Sequence, residues 1–149
     1  TEKVAHGIAC GTEKGSYVAT CAEVEMTGGR DPVKVRRVTV AFDCGPIHNP
    51  ANLNAQIEGS IVMGLGGALR EAIAFENGAL LNGSFQDYKV PRFEDLPAIE
   101  VVNVVPRNIE ESAGAGETPI MAIAPAIANA MFAATGLSPS ALPIVPSLA

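Results

Sequence analysis

The chain has 149 residues, of which 48% are hydrophobic and only 17% are charged, and its formal net charge at pH 7 is −6. This length fits one domain with a real core, and the low charged fraction predicts surface that a partner covers. Because phosphate groups require concentrated positive charge and no Lys/Arg cluster is present, nucleic acid and an anionic membrane surface are excluded as expected partners.

The N-terminus carries neither an initiator Met nor a targeting signal. The chain begins at Thr1, has no basic stretch followed by an apolar run, and has no apolar segment that we expect to be long enough to span a bilayer. We therefore expect a fragment of a longer protein, without a membrane span.

Cysteine and histidine are too sparse to predict a metal site. The cysteines are odd in number and no C-x-x-C pair occurs, which argues against a disulfide framework and against zinc or iron–sulfur ligation. We interpret all of them as buried thiols. Neither histidine has further ligands at metal spacing, so we expect surface or second-layer positions for His6 and His48.

The first predicted elements are two strands. Residues 15–26 alternate imperfectly between apolar and polar side chains, and Val33–Phe42 alternates clearly. A turn would join them through Gly28, Gly29 and Pro32. An antiparallel pair is the simplest consequence.

A glycine-rich helix follows. Asn49 or Asn52 can cap it, and apolar residues then recur at three- and four-residue spacing through Glu71. Its glycines are Gly59, Gly64, Gly66 and Gly67, each costing up to about 1 kcal/mol relative to Ala in a helix interior. Such density favours close backbone approach, either to another element or to a ligand.

The remaining elements complete an α+β domain. Asn77-Gly78 predicts a tight hairpin, and residues 99–105 predict a strand. The last helix would start at Pro119 or Pro125, with Thr118 as cap for an early start, and would end at Thr135 before Gly136. We therefore predict a mostly antiparallel sheet with two main helices packed on one face.

Gln56 is a candidate binding residue on the first helix. Helical spacing places it on one face with Gly59, Ser60, Met63 and Gly67. A neutral amide on a glycine-lined face can both donate and accept hydrogen bonds to a heteroaromatic or phosphate-bearing ligand. The alternative is a solvent-facing Gln on a helix that needs glycine for packing.

Glu117 is the candidate proton acceptor. Gly114 and Gly116 free the backbone around it, and the nearest basic residue in sequence is Arg107, so we expect no charge partner. Partial desolvation of such a carboxylate would raise its pKa and make it a competent base near neutrality. The alternative is a solvated loop Glu near a helix N-terminus, where the helix dipole favours negative charge.

Several segments together resemble a known family. They are "GSYVATCAEVE", "AFDCGPIHNP", "QIEGSIVMGLGGAL", "FQDYKVPRFEDLP", "GAGETP" and "APAIANAMFAATG". Their order from about Gly15 onward resembles the C-terminal part of the molybdenum-binding subunit of the xanthine dehydrogenase/aldehyde oxidase family, closest to the isoquinoline 1-oxidoreductase beta-subunit type.

The resemblance implies roles for individual residues. Glu117 in "GAGETP" matches the family's catalytic base, which takes a proton from a molybdenum-bound hydroxide while hydride leaves the substrate carbon. Gln56 in "QIEG" matches a residue that contacts the pterin, and the backbone of Gly114, Ala115 and Gly116 would lie beside the molybdenum. "GETP" replaces the "GEPP" of xanthine dehydrogenases, so a purine substrate is not implied.

The resemblance also implies what else belongs to the enzyme. Residues 1–149 would form a C-terminal molybdopterin-binding domain that holds a molybdopterin dinucleotide, the cytosine form, together with the upstream part of the subunit. A [2Fe-2S] cluster would lie on a partner subunit, and the substrate would be an N-heteroaromatic or an aldehyde. The compartment would be the bacterial cytoplasm or periplasm.

An alternative concerns the isolated chain. Without the upstream part, we expect it to bind no cofactor, to act only as a silent structural or interaction domain, and to self-associate through uncovered apolar surface.

Overall fold

A computed structural model describes residues 3–27, 33–104 and 110–144. Its elements are β1 (Lys3–Glu13), β2 (Ser16–Met26), β3 (Val33–Asp43), α1 (Pro50–Leu69), β4 (Phe75–Glu76), β5 (Ala79–Leu80), β6 (Ala98–Asn103) and α2 (Ile123–Thr135). Single 3₁₀ turns cover Phe93–Asp95 and Thr118–Ile120. The predicted turn at Gly28, Gly29 and Pro32, the strand end at Val105, and Arg107 lie outside the described residues.

The main sheet has four strands in the order β1-β2-β3-β6. The β1–β2 and β2–β3 pairs are antiparallel, as predicted for the latter, whereas β6 runs parallel to β3. Buried side chains of β2 and β3 meet those of α1 and α2 in one core. The α+β class and the mostly antiparallel sheet are therefore confirmed, with a parallel edge pair as the difference.

Strand β1 was not predicted, because its inward positions are too small to give a hydrophobic alternation. The residues facing α2 include Ala5, Gly7, Ala9 and Gly11. A Cβ added to Gly7 would lie 2.1 Å from the backbone nitrogen of Ala130. Glycine at this position therefore lets the backbone of α2 pack directly on the strand.

A β-bulge explains the spacing of the valines in β3. The register shifts beside Glu23 and Val24, where Val24 pairs with Val35 and Glu23 pairs with Arg37. Arg36 is the extra residue, so Val35 and Val38 both point inward although they are three positions apart. The bulge keeps the whole valine row in the core.

Helix α1 begins at Pro50 and is capped by Asn49, one of the two predicted caps, whose side chain accepts a 3.0 Å hydrogen bond from the Asn52 backbone nitrogen. Two of its glycines serve internal packing. A Cβ on Gly64 would lie 2.3 Å from Cγ2 of Ile123 in α2, and one on Gly66 would lie 1.8 Å from Oε1 of Glu71. These two positions admit close approach within the chain.

Helix α2 begins between the two predicted starts and ends as predicted. Gly136 adopts the left-handed conformation, with φ of 78°, and its backbone nitrogen closes the last turn. The predicted capping role of Thr118 is wrong, since its hydroxyl donates a hydrogen bond of 3.4 Å to the carbonyl oxygen of Glu13.

Contrary to the sequence-based expectation, Thr118–Thr135 is long and apolar enough to cross a membrane by length and composition alone, with a mean hydropathy of 1.4. Half of this segment is buried inside the domain. The apolar face of α2 packs on β1, β2 and α1, which accounts for its composition.

Residues 71–97 form a largely exposed segment, here called the arm, whose end returns to the domain where Pro91 and Asp95 line a cavity with β3 and α1. The predicted hairpin is present there, with Asn77 and Gly78 at φ of 50° and 80°. The arm is held at its base by an Arg70–Asp95 ion pair of 2.6 Å and by a hydrogen bond from the Tyr88 hydroxyl to Glu71. Its exposed apolar side chains include Ile73, Phe75, Leu80, Leu81, Phe85, Val90 and Phe93.

The cysteines differ in burial. Cys44 is buried as predicted, but Cys10 is exposed and Cys21 is half-buried, because both lie on the open face of the sheet. His6 and His48 are exposed, as predicted. His6 contacts Glu23 at 3.2 Å.

Candidate cofactor-binding site

Residues 112–118 form a surface loop, here called the Glu117 loop, that the sheet holds from two sides. The Ala113 backbone nitrogen donates a hydrogen bond of 2.9 Å to the carbonyl oxygen of Cys44, the residue that directly follows β3. The buried Ser16 hydroxyl, at the start of β2, donates 2.7 Å to the carbonyl oxygen of Gly114. Gly114 has φ of 81°, a conformation that side chains other than glycine rarely adopt.

Gln56 joins α1 to this loop. Its side-chain nitrogen donates a 3.0 Å hydrogen bond to the carbonyl oxygen of Gly116. The fold therefore brings together the residues that the sequence singled out from two distant segments, which are Gln56, Gly114, Ala115, Gly116 and Glu117. Ala115 packs partly against the core, and the others are exposed.

The expected environment of Glu117 is wrong in two respects. Its carboxylate forms a hydrogen-bonded ion pair with the Lys14 ammonium, in the β1–β2 turn, and both side chains are 66% exposed. The hydrogen bond and the positive charge of Lys14 lower the pKa of Glu117 below its ordinary value of 4.5, against a smaller opposing effect of burial. Desolvation is therefore not the dominant influence on this carboxylate.

The error arose because the β1–β2 hairpin was not recognised. Lys14 lies 103 positions before Glu117 in the chain, and only the turn between β1 and β2 brings its side chain to the loop. The turn itself is short, because Lys14 and Gly15 form a two-residue connection between the paired residues Glu13 and Ser16.

The outer face of α1 continues the surface beyond Gln56. Met63 is 70% exposed, and Cβ atoms added to Gly59 or Gly67 would meet nothing within 4 Å. Ser60 lies at the edge of this face, is buried, and donates its hydroxyl to the Gln56 carbonyl oxygen. Of the glycines in α1, Gly64 and Gly66 are therefore packed against other residues, whereas Gly59 and Gly67 have open space where a Cβ would lie.

The site is an open surface in this chain. A cavity of about 390 Å³ lies elsewhere, between β3, the end of α1 and the arm, and neither Gln56 nor Glu117 lines it. Across residues 3–27, 33–104 and 110–144, no three His, Cys, Asp or Glu side chains lie close enough to hold a metal ion.

These residues fit a flat polar cofactor. Gly114 and Gly116, like Gly59 and Gly67, have open space where a Cβ would lie. A ligand can therefore approach the backbone at all these points, while the Gln56 amide offers hydrogen bonds at the junction of helix and loop.

A family profile decides what kind of domain this is. The molybdopterin cofactor-binding domain matches residues 6–97. The chain belongs to this family. The match includes most of β1, all of β2, β3 and α1 with Gln56, and it ends before the Glu117 loop.

Curated relatives extend the molybdopterin-domain similarity over nearly the whole chain. The beta subunit of isoquinoline 1-oxidoreductase from Brevundimonas diminuta is 34% identical over 98% of this chain and 18% of its own length. A nicotinate dehydrogenase subunit from Pseudomonas putida is 34% identical over 87% of this chain and 11% of its own length. The chain therefore spans about a tenth to a fifth of these relatives.

Solved structures agree on the fold of this molybdopterin domain. Quinoline 2-oxidoreductase from Pseudomonas putida 86 has a TM-score of 0.77 at 24% identity, over 87% of this chain and 17% of that one. The aldehyde oxidoreductase from Desulfovibrio desulfuricans has a TM-score of 0.70 at 27% identity, over 83% of this chain and 14% of that one.

Proposed function

We propose that this chain is the C-terminal part of the molybdenum-binding subunit of a hydroxylase that oxidises an N-heteroaromatic or aldehyde substrate with oxygen derived from water. The observation that carries the proposal is the hydrogen bond from Gln56 to Gly116. It joins the glycine face of α1 to the Glu117 loop, so one surface offers an amide, exposed backbone and a carboxylate.

In this proposal Gln56, Gly114, Ala115 and Gly116 hold a molybdopterin dinucleotide, of the cytosine type. When bound, the cofactor accepts the electrons of the substrate and provides the centre for oxygen transfer. Support comes from Gly59 and Gly67, which lie inside a helix, where each costs up to about 1 kcal/mol relative to Ala. Nothing in the described chain packs against them, so a ligand or upstream segment outside the chain explains their presence.

Glu117 acts as the general base at this surface. Its carboxylate is ionised at neutral pH, because its ordinary pKa of 4.5 already lies well below 7 and Lys14 lowers the pKa further. An ionised carboxylate can accept the proton of the water-derived nucleophile as the carbon–oxygen bond forms. The glycines on either side of Ala115 leave room for the substrate and cofactor to meet the carboxylate.

The remaining half of the site comes from partners. We propose that the upstream part of the same subunit covers the α1 face, and that electrons leave through a separate iron–sulfur subunit carrying a [2Fe-2S] cluster. The exposed apolar side chains of the arm, among them Phe85 and Phe93, support a large covered surface in the complete enzyme.

The second candidate is a silent domain. In the isolated chain the carboxylate is exposed, the site is open, and the arm presents apolar side chains to water. These observations favour an isolated chain that carries no molybdenum, does not turn over substrate and self-associates.

Metal analysis separates the two candidates. We expect stoichiometric molybdenum in the complete subunit and none in the isolated chain, each purified from a host that makes the cofactor. Molybdenum bound to the isolated chain would reject the silent state, and a complete subunit without molybdenum would reject the hydroxylase.

A further inference from the structure

The residues on both sides of the β1–β2 turn contact the Glu117 loop. The Glu13 carbonyl oxygen accepts a hydrogen bond from the Thr118 hydroxyl, and the Ser16 hydroxyl donates to the Gly114 carbonyl oxygen. Between them, Lys14 and Gly15 adopt φ of 48° and 85°, as a two-residue hairpin turn requires. The turn therefore supports both ends of the segment that carries Glu117.

Lys14 is the turn residue that reaches the carboxylate itself. Its ammonium contacts Oε2 of Glu117 and lies 3.7 Å from Oε1 of Glu13. The side chain that α1 directs to the loop is the neutral Gln56. Among the described residues, Lys14 is the charged group whose field changes the pKa of Glu117, and the contact raises the pKa of Lys14 in return.

We propose that Lys14 is a positioning residue that holds the Glu117 carboxylate in the orientation in which it accepts a proton. This inference rests on the proposed role of Glu117 as general base. A carboxylate on a loop with glycine at positions 114 and 116 has many accessible orientations, and pairing with an ammonium on a rigid hairpin turn selects among them. Covering of the surface by partner segments strengthens the pair, because the effective dielectric constant falls.

The first test measures the pair without any catalysis. In the isolated chain, a carbon-13 NMR titration of the Glu117 carboxyl should give a pKa below 4.5 in the wild type. Lys14→Met should return the pKa to its ordinary range, whereas Lys14→Arg should keep it lowered. Lys34→Met, which removes an exposed lysine of β3, is the control and should leave it unchanged. Identical titrations of the wild type and Lys14→Met would overturn the proposal.

The second test measures the pH dependence of kcat/KM in the complete enzyme. Because loss of Lys14 raises the pKa of the base, the acidic limb should move to higher pH in Lys14→Met, with unchanged molybdenum content, and Lys14→Arg should restore it. If the acidic limb of Lys14→Met does not move while Glu117→Gln is inactive, the positioning role of Lys14 is rejected and the role of Glu117 as general base is retained. A fully active Glu117→Gln would reject the proposed function, whatever the NMR titration shows.

Discussion

The side-chain nitrogen of Gln56 lies 3.0 Å from the carbonyl oxygen of Gly116, so a single hydrogen bond links α1 to a loop 60 positions later in the chain. Gln56→Ala removes this link, whose net contribution is about 1 kcal/mol. We expect faster amide hydrogen exchange in residues 113–117 of the isolated chain and weaker molybdenum retention by the complete subunit. Gln86→Ala, in the exposed arm, is the matched control. Unchanged exchange and retention would argue against the role of Gln56.

Glu117→Gln tests the general base directly. The substitution keeps the size of the side chain but removes the group that accepts the proton, so turnover should fall by at least about 10²-fold while molybdenum content stays the same. Glu111→Gln changes another exposed carboxylate near the start of the same loop and should retain turnover. Steady-state kinetics beside metal analysis provide the measurement, and near-normal turnover of Glu117→Gln would exclude the assignment.

The glycines of α1 should respond to alanine in opposite directions. Gly59→Ala and Gly67→Ala meet open space, so each should stabilise the isolated chain by about 0.5–1 kcal/mol. The same changes should reduce cofactor retention in the complete subunit. Gly64→Ala should destabilise the chain, since its Cβ would collide with Ile123. Chemical denaturation measures all three, and destabilisation by Gly59→Ala or Gly67→Ala would show that the chain itself needs these glycines.

The arm should drive association of the isolated chain. Phe85 and Phe93 are fully or almost fully exposed, and replacing both with Ser should lower the self-association seen by sedimentation across a concentration series. Leu137→Ser removes an apolar side chain that is 65% exposed and follows α2, and it serves as the control. A wild-type chain that stays monomeric at high micromolar concentration would contradict the expectation.

Elements marked by short-range signals were predictable from the sequence, and contacts between distant segments were not. Asn49 and Asn77-Gly78 identified the start of α1 and the hairpin because a cap and a tight turn each depend on a few neighbouring residues. Strand β1 was not predictable because the need for glycine at position 7 comes from the backbone of α2. That backbone packs on Gly7 only in the folded domain.

The candidate site divides in the same way. Gln56 and Glu117 could be selected from their local surroundings and from the family resemblance, and the fold places them on one surface. The partner of Glu117 could not be selected in this way, because its contact with Lys14 depends on a hairpin at the opposite end of the chain. Because Lys14 was missing from the prediction, the pKa of Glu117 was expected to rise, whereas the structure lowers it.

The parallel pairing of β3 with β6 has a consequence for the order of folding. Strands β1, β2 and β3 pair with sequence neighbours, but Arg37 pairs with Ala98, about sixty residues later, after α1 and the arm. Closing so long a loop costs entropy before the contact is gained, so β6 should join a preformed three-stranded meander late. In pulsed hydrogen exchange during refolding, amides of β2 should gain protection before those of β6, and simultaneous protection would instead indicate one concerted step.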